Sequence, residues 1–170
     1  MRLFISIQFD QPLLDTLVHF QGELRKTGVI GKYTKEENLH LTLAFIGEYG
    51  DPDAVMDALE QVSFQPFELR LDGVGSFGEI FWVGVSGEEA LNTLSGRVRR
   101  VLSEAGIPFD RKKFRPHITL IRKASYKSDQ RIPVEEVTRG SMTVQRISLM
   151  KSERGKNGMV YTELGSVEAE

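Results

Sequence analysis

Cysteine is absent from the 170 residues. That removes disulfides, thiolate nucleophiles and zinc–thiolate centres together. Long apolar runs are missing as well, since nothing approaches the roughly 18 apolar residues a membrane-spanning helix needs. The opening MRLFISIQFDQP has one Arg and a short apolar run broken by Gln8 and Asp10. It has neither the apolar length nor the cleavage site of a secretory signal. A cytoplasmic chain with no membrane contact is the expectation. A P-loop is also lacking. The one near match to a nucleotide fingerprint is Gly73-Val74-Gly75-Ser76-Phe77-Gly78, a G-x-G-x-x-G. That motif requires a helix opening at its end. Here Ile80 to Val85 reads as a strand, so the segment is expected to be a glycine-rich turn between strands.

Charge of one sign does not dominate, with 22 Lys and Arg against 24 Asp and Glu. It is segregated, however. Arg111, Lys112, Lys113, Arg115, Arg122, Lys123, Lys127 and Arg131 face a single acid, Asp129, within 21 residues. Such a run serves equally as a solvated basic loop or as the collar of an anion site. At this length the chain fits one domain with a substantial core.

Histidine is scarce, with three in the chain, and two of them fall in a repeated motif. His40-Leu41-Thr42-Leu43 returns as His117-Ile118-Thr119-Leu120, each copy inside an apolar run that reads as a β-strand. Strand side chains alternate between faces, so His40 and Thr42 share one face, roughly 7 Å apart, while Leu41 and Leu43 enter a core. His117 and Thr119 share a face in the same way, opposite Ile118 and Leu120. His19 lies outside the motif, in a predicted helix, and is expected to be structural or surface-exposed.

The repeat extends beyond the motif. With an offset of 77 residues, about 3–46 superposes on about 80–123 without a gap: Phe4 on Phe81, Leu14 on Leu91, Leu17 on Leu94, Leu24 on Val101 and Lys35 on Lys112. The unit is strand, helix, histidine strand. Strands are expected at Leu3–Phe9, across the two motifs (Leu39–Ile46 and Phe114–Arg122), at Phe67–Leu71 and at Ile80–Val85. Helices are expected at Gln11–Lys26, Pro52–Gln61 and Glu88–Ala105, and Lys32–Glu36 reads as loop. Val144–Lys151 and Met159–Leu164 flank a turn at Arg154–Gly158, a terminal hairpin. The expected fold is α+β: one domain over 1–170 with two similar lobes, antiparallel or mixed sheets lining a central cleft, and helices outside.

Two imidazoles and two hydroxyls around one point fit phosphoryl chemistry. A pKa near 6.5 lets one His act as base and the other as acid at neutral pH. The threonine hydroxyls can donate to non-bridging phosphate oxygens. A metal centre fits poorly, because two His without an Asp, Glu or Cys on the same face fall short of three or four ligands.

These motifs, with Arg115-Pro116 before the second and Ile121-Arg122 after it, resemble the paired H-x-T-x signatures of the two-histidine (2H) phosphoesterases. MRLFISI, GVGSFGEIFWVGV and the second motif resemble in particular the bacterial and archaeal RNA 2′,3′-cyclic phosphodiesterases, also called LigT-like or 2′-5′ RNA ligase-like proteins. The likeness spans Met1 to about Leu164. It implies a LigT-like two-lobed fold and hydrolysis of an RNA 2′,3′-cyclic phosphate to a 2′-phosphomonoester, with neither metal nor other cofactor. It also implies His40 as the proton donor to the 3′-oxygen, His117 as the base that activates water, and Thr42 and Thr119 as phosphate-binding residues. Arg122 matches an arginine that follows the second motif in the family, although strict alternation from His117 puts it on the opposite face. Phe77 and Trp82 are candidates to stack on a base, with a core place expected for Trp82. The implied partner is RNA with a cyclic phosphate end, tRNA fragments included, met by a monomeric chain. Two alternatives stay open: the same chemistry on a small cyclic phosphate or nucleotide, and an RNA-end binding module without turnover. Ligation through a 2′-5′ bond is a conceivable side activity.

Overall fold

A computed structural model describes residues 1–127, 130–137 and 139–170. Ser128 and Asp129, the latter the acid of the basic stretch, lie outside the described residues. So does Thr138.

The chain opens with strand β1 (Arg2–Gln8), followed by helix α1 (Gln11–Lys26), strand β2 (Ile30–Tyr33) and the first histidine strand β3 (His40–Glu48). Helix α2 (Pro52–Leu59) leads to a hairpin of β4 (Phe67–Phe77) and β5 (Ile80–Ser86). Helix α3 (Glu88–Glu104) precedes the second histidine strand β6 (Ile118–Ser125). Strands β7 (Ser141–Val144), β8 (Arg146–Gly155) and β9 (Gly158–Glu168) complete the chain. Asp10 and Asp51 cap α1 and α2, accepting from the amides of Leu13 and Ala54 at 3.0 Å, and each is followed within two residues by a Pro suited to a first helical turn.

Two sheets result, with strand orders β3-β1-β8-β9 and β2-β6-β5-β4-β7. All the pairings described are antiparallel. In each sheet a histidine strand lies beside the strand that opens its own half: β3 beside β1, β6 beside β5. The helices cross over. Ser95 of α3 donates from Oγ to the Leu43 carbonyl of β3 at 3.0 Å, and Gln21 of α1 donates from Nε2 to the Leu120 carbonyl of β6 at 3.1 Å. Each half thus packs its helix beneath the histidine strand of the other. Leu41, Leu43, Ile118 and Leu120 all lie in the shared core, none more than 1% exposed. Such burial stabilises by about 1.5–3 kcal/mol per side chain.

Several expectations change. Strand β2 overlaps the stretch that reads as loop at Lys32 and Tyr33. Gly31, Lys32 and an Ile30 left exposed give no alternating apolar pattern, and the strand pairs with β6. The glycine-rich stretch is not the turn itself: β4 runs through it to Phe77, and the turn is Gly78-Glu79. Glycine serves there by leaving room, since a Cβ on Gly75 would come within 2.3 Å of the Trp82 ring. Strand β6 begins at Ile118, so His117 stands just before it. The ungapped superposition fails at the first strands. Thr42 lies opposite Ser6 and Thr119 opposite Trp82, so the second half has one more residue between its paired strands. Strand β7 was not expected. Val18 of α1, next to the buried Leu17, is exposed.

Candidate functional site

Each histidine is held from the chain just before it. Nδ1 of His40 bonds the Asn38 carbonyl at 2.7 Å, and Nδ1 of His117 bonds the Arg115 carbonyl at 2.6 Å. A carbonyl only accepts, so in both rings Nδ1 carries the proton and Nε2 is the nitrogen left for chemistry. In His40, Nε2 meets the Thr42 hydroxyl at 2.9 Å, as expected for side chains two residues apart on one strand face. Asn38 is itself buried, and its carboxamide donates to the Met159 carbonyl of β9 at 2.9 Å. The carbonyl that orients His40 is therefore tied to the far edge of its sheet.

Aromatic rings flank both imidazoles. His40 lies 5.0 Å from Phe4 and 5.3 Å, edge to face, from Tyr161. His117 lies 5.1 Å, edge to face, from Phe77 and 6.2 Å from Trp82. Trp82, expected in the core, instead stands half-buried beside His117. His19 lies exposed on α1, 3.9 Å from Glu23 and outside this arrangement.

Arg122 reaches the histidine face through a break in strand phase. Trp82 of β5 pairs with Thr119, yet its neighbour Phe81 pairs with Ile121, so β6 holds one extra residue there, a β-bulge. Leu120 and Ile121 are consequently both fully buried, and alternation resumes one residue late. Strand β3 has the same device: Ser6 pairs with Thr42 and Ile5 with Ala44, with Leu43 and Ala44 both buried. Phe45, the residue 77 positions before Arg122, is thereby turned outward in the same manner.

His40, Thr42, Phe45 and Arg122 line one cavity of about 530 Å³, with Arg2 and Arg154 adding positive charge. Thr119 and His117 do not line it. Thr119 sits opposite Trp82 in the ladder, and His117 is near enough for its charge to act on His40. Burial holds the His40 pKa below the usual 6.5; the Arg122 and His117 charges push the same way, against the Asn38 carbonyl, which favours the protonated ring. Among the described residues no cluster of three or more His, Cys, Asp or Glu is placed to hold a metal ion, and no helix is long and apolar enough to cross a membrane.

Sequence reasoning passed over Phe4, Tyr161, Arg2 and Arg154. Phe4 was hidden in an unbroken apolar run, and Arg154 was read as part of a turn. Phe45 had a usable signal, its position in the repeat opposite Arg122.

Comparison with known proteins gives a consistent set of likenesses. The family model of the 2′-5′ RNA ligase superfamily matches residues 15–156. An RNA 2′,3′-cyclic phosphodiesterase of Aeropyrum pernix is 31% identical over 92% of this chain and 97% of its own length. One of Archaeoglobus fulgidus is 32% identical over 96% of this chain and 98% of its own. The crystal structure of Escherichia coli LigT superposes with a TM-score of 0.85 at 26% identity, covering 99% of this chain and 96% of that one. LigT has also been solved with 3′-AMP bound, and that structure superposes with a TM-score of 0.84.

Proposed function

The chain belongs to the 2′-5′ RNA ligase superfamily, and we propose that it hydrolyses the 2′,3′-cyclic phosphate end of RNA to a 2′-phosphomonoester. The observation that carries this reading is the pair of imidazoles, each with Nδ1 fixed on the carbonyl two residues before it, which leaves Nε2 as the nitrogen for proton exchange. The names of the relatives supply the substrate class.

The proposed sequence of events is an in-line displacement. Nε2 of His117 takes a proton from water as its oxygen bonds to phosphorus. The P–O3′ bond breaks, and Nε2–H of His40 gives its proton to O3′, leaving a 3′-hydroxyl and a 2′-phosphate. Thr42, Thr119 and Arg122 bind the non-bridging oxygens, and Arg122 offsets their charge. Each proton transfer contributes on the order of 10²–10⁴-fold. A depressed pKa keeps free His40 neutral near pH 7, whereas a donor has to be protonated. The substrate resolves this, because a cyclic phosphate anion beside the ring favours the imidazolium. In this reading substrate binding and proton uptake by His40 are coupled. The two halves are read as copies of one unit, each supplying one His and one Thr, and the chain as a monomer acting in the cytoplasm.

A short RNA ending in a 2′,3′-cyclic phosphate, incubated with the protein and excess EDTA, tests the proposal. The expected product is the 2′-phosphate. A 3′-phosphate would reverse the leaving oxygen and the roles of the histidines. Binding without turnover would leave an RNA-end binding module, and turnover of mononucleotide cyclic phosphates alone would move the substrate to small molecules.

A further inference from the structure

A second cavity, of about 830 Å³, opens beside His117 between α3, the β4–β5 hairpin and the segment 113–116. It falls within the range of about 300–1,000 Å³ common for small-molecule sites. Phe77 and Trp82, the two rings against His117, form part of its wall. Arg99, Lys113 and Arg115 bring three cations to it, against the carboxylates of Asp72 and Glu88. The balance of one positive charge suits one phosphodiester anion.

Two buried donors in this wall lack partners. Nε1 of Trp82 and Nε of Arg99 are shielded from solvent and meet no acceptor among the described residues. A buried N–H without an acceptor is costly, and native proteins seldom tolerate one unless a ligand or water completes it. The Trp82 ring is also held firmly in place, since it lies so close over Gly75 that no side chain fits there. Arg99 in turn sets its guanidinium 5.5 Å from the Phe109 ring. Fixed aromatic faces, cations and unpaired donors beside an RNA-end site are the parts that single-stranded nucleic acid requires.

We infer that this cavity receives the nucleotide on the 5′ side of the cyclic phosphate end, its base against Trp82 and Phe77 and its phosphodiester against Arg99 and Lys113. The inference rests on the function proposed above. The His40 cavity takes the terminal nucleotide, and the strand leaves past His117 into the second cavity. Arg115 ties the two together, because its carbonyl orients His117 while the residue itself lines the second cavity. The consequence is a preference for an oligonucleotide end over a lone cyclic nucleotide.

The test compares adenosine 2′,3′-cyclic phosphate with the diadenosine dinucleotide ending in the same group, in wild type and in the double variant Arg99→Met, Lys113→Met. Methionine keeps the apolar stem of each side chain and removes its charge. Wild type is expected to favour the dinucleotide by about tenfold or more in kcat/KM, in line with one stacked base. Without the two cations the phosphodiester no longer holds the base against Trp82 and Phe77, so the variant loses most of that advantage through KM. It turns over the mononucleotide within about twofold of wild type, which also reports that it folds. Equal rates on both substrates in wild type, or an equal loss on both in the variant, would overturn the inference. Turnover of neither substrate by wild type would defeat the proposed function instead, and a binding measurement then decides about the cavity. Trp82 is the single tryptophan of the chain, so its fluorescence reports there directly. Saturable quenching by a diadenosine 2′-phosphate, weakened about tenfold or more in the variant, supports the site. No quenching, or the same affinity in both proteins, refutes it.

Discussion

Replacing Gln21 with Leu separates holding the active strand in place from merely filling the core. Gln21 is 3% exposed in α1. Its Nε2 donates to the Thr34 carbonyl at 2.9 Å and to the Leu120 carbonyl at 3.1 Å, the latter at the bulge of β6. The Thr34 amide also donates to that carbonyl, at 2.8 Å. Gln21→Leu therefore leaves the Leu120 carbonyl one bond and takes one from the Thr34 carbonyl. Each lost bond costs about 0.5–1.5 kcal/mol, and an acceptor left without a partner about 1–3 kcal/mol. The apolar side chain gained at a buried site offsets part of this. A net loss of about 1–3 kcal/mol follows, which for a chain of this size lowers Tm by about 3–9 °C. The bulge it releases is the one that sets the phase between Thr119 and Arg122. Misplacing such groups by about 1 Å can cost 10²-fold in rate, so kcat should fall at least tenfold at a temperature where the variant is folded. Leu17→Ala is the control. Leu17 is fully buried in the same helix, and its truncation costs about 2–5 kcal/mol. Its apolar side chain has no hydrogen bond to give the bulge carbonyl, so its truncation should leave kcat near that of wild type. If the two variants lose kcat alike, or if Gln21→Leu loses stability and keeps its kcat, the reasoning is refuted.

Two further expectations concern the histidines. His40→Ala and His117→Ala should each lower kcat on an RNA 2′,3′-cyclic phosphate by about 10²–10⁴-fold while circular dichroism shows a folded chain; normal turnover by either removes that residue from the chemistry. Arg122→Gln should raise the His40 pKa, because it removes one of the charges that lower it; NMR titration of the His40 ring in the free protein measures this, and an unchanged or lower value would contradict it. The same depression fixes a sign for stability. With its folded pKa below 6.5, His40 binds fewer protons folded than unfolded as pH falls through that value, so stability is lost from about pH 6.5 downward. In urea unfolding at pH 7.5 and 5.5, a His40→Gln variant should lose less stability on acidification than wild type, and an equal loss would refute the sign.

Much of this was legible in the sequence, for reasons that can be named. Helix α1 runs from Gln11 to Lys26 as its periodicity and the Asp10 cap require. The buried positions of the histidine strands follow period-two alternation as far as Leu43 and Leu120. Where a local rule decides, the sequence can be read. Strand β2 lay beyond such reading, because its pairing with β6 defines it and its four residues show no period-two alternation. Trp82 lay beyond it too: an apolar strand looks like core, and only the glycines behind the ring show that it stands on the site face. Arg122 is the clearest case. Five residues after His117, it belongs on the wrong face by alternation, and nothing in the letters of the motif marks the extra residue that corrects this.

That extra residue depends on long-range structure. A bulge leaves backbone groups displaced from the regular ladder, and buried carbonyls want donors. In both histidine strands the carbonyl at the bulge, Leu43 in one and Leu120 in the other, accepts from a buried polar side chain on the helix of the opposite half. Ser95 and Gln21 are the polar side chains that do this, and both are among the few buried polar residues of the core. A hydrophobic residue at either place would fill the space and leave the bulge less firmly held. The crossing of the helices therefore does more than join two sheets into one core. It makes the phase of each histidine strand depend on the other half being folded, so that neither imidazole is set in working position until both are.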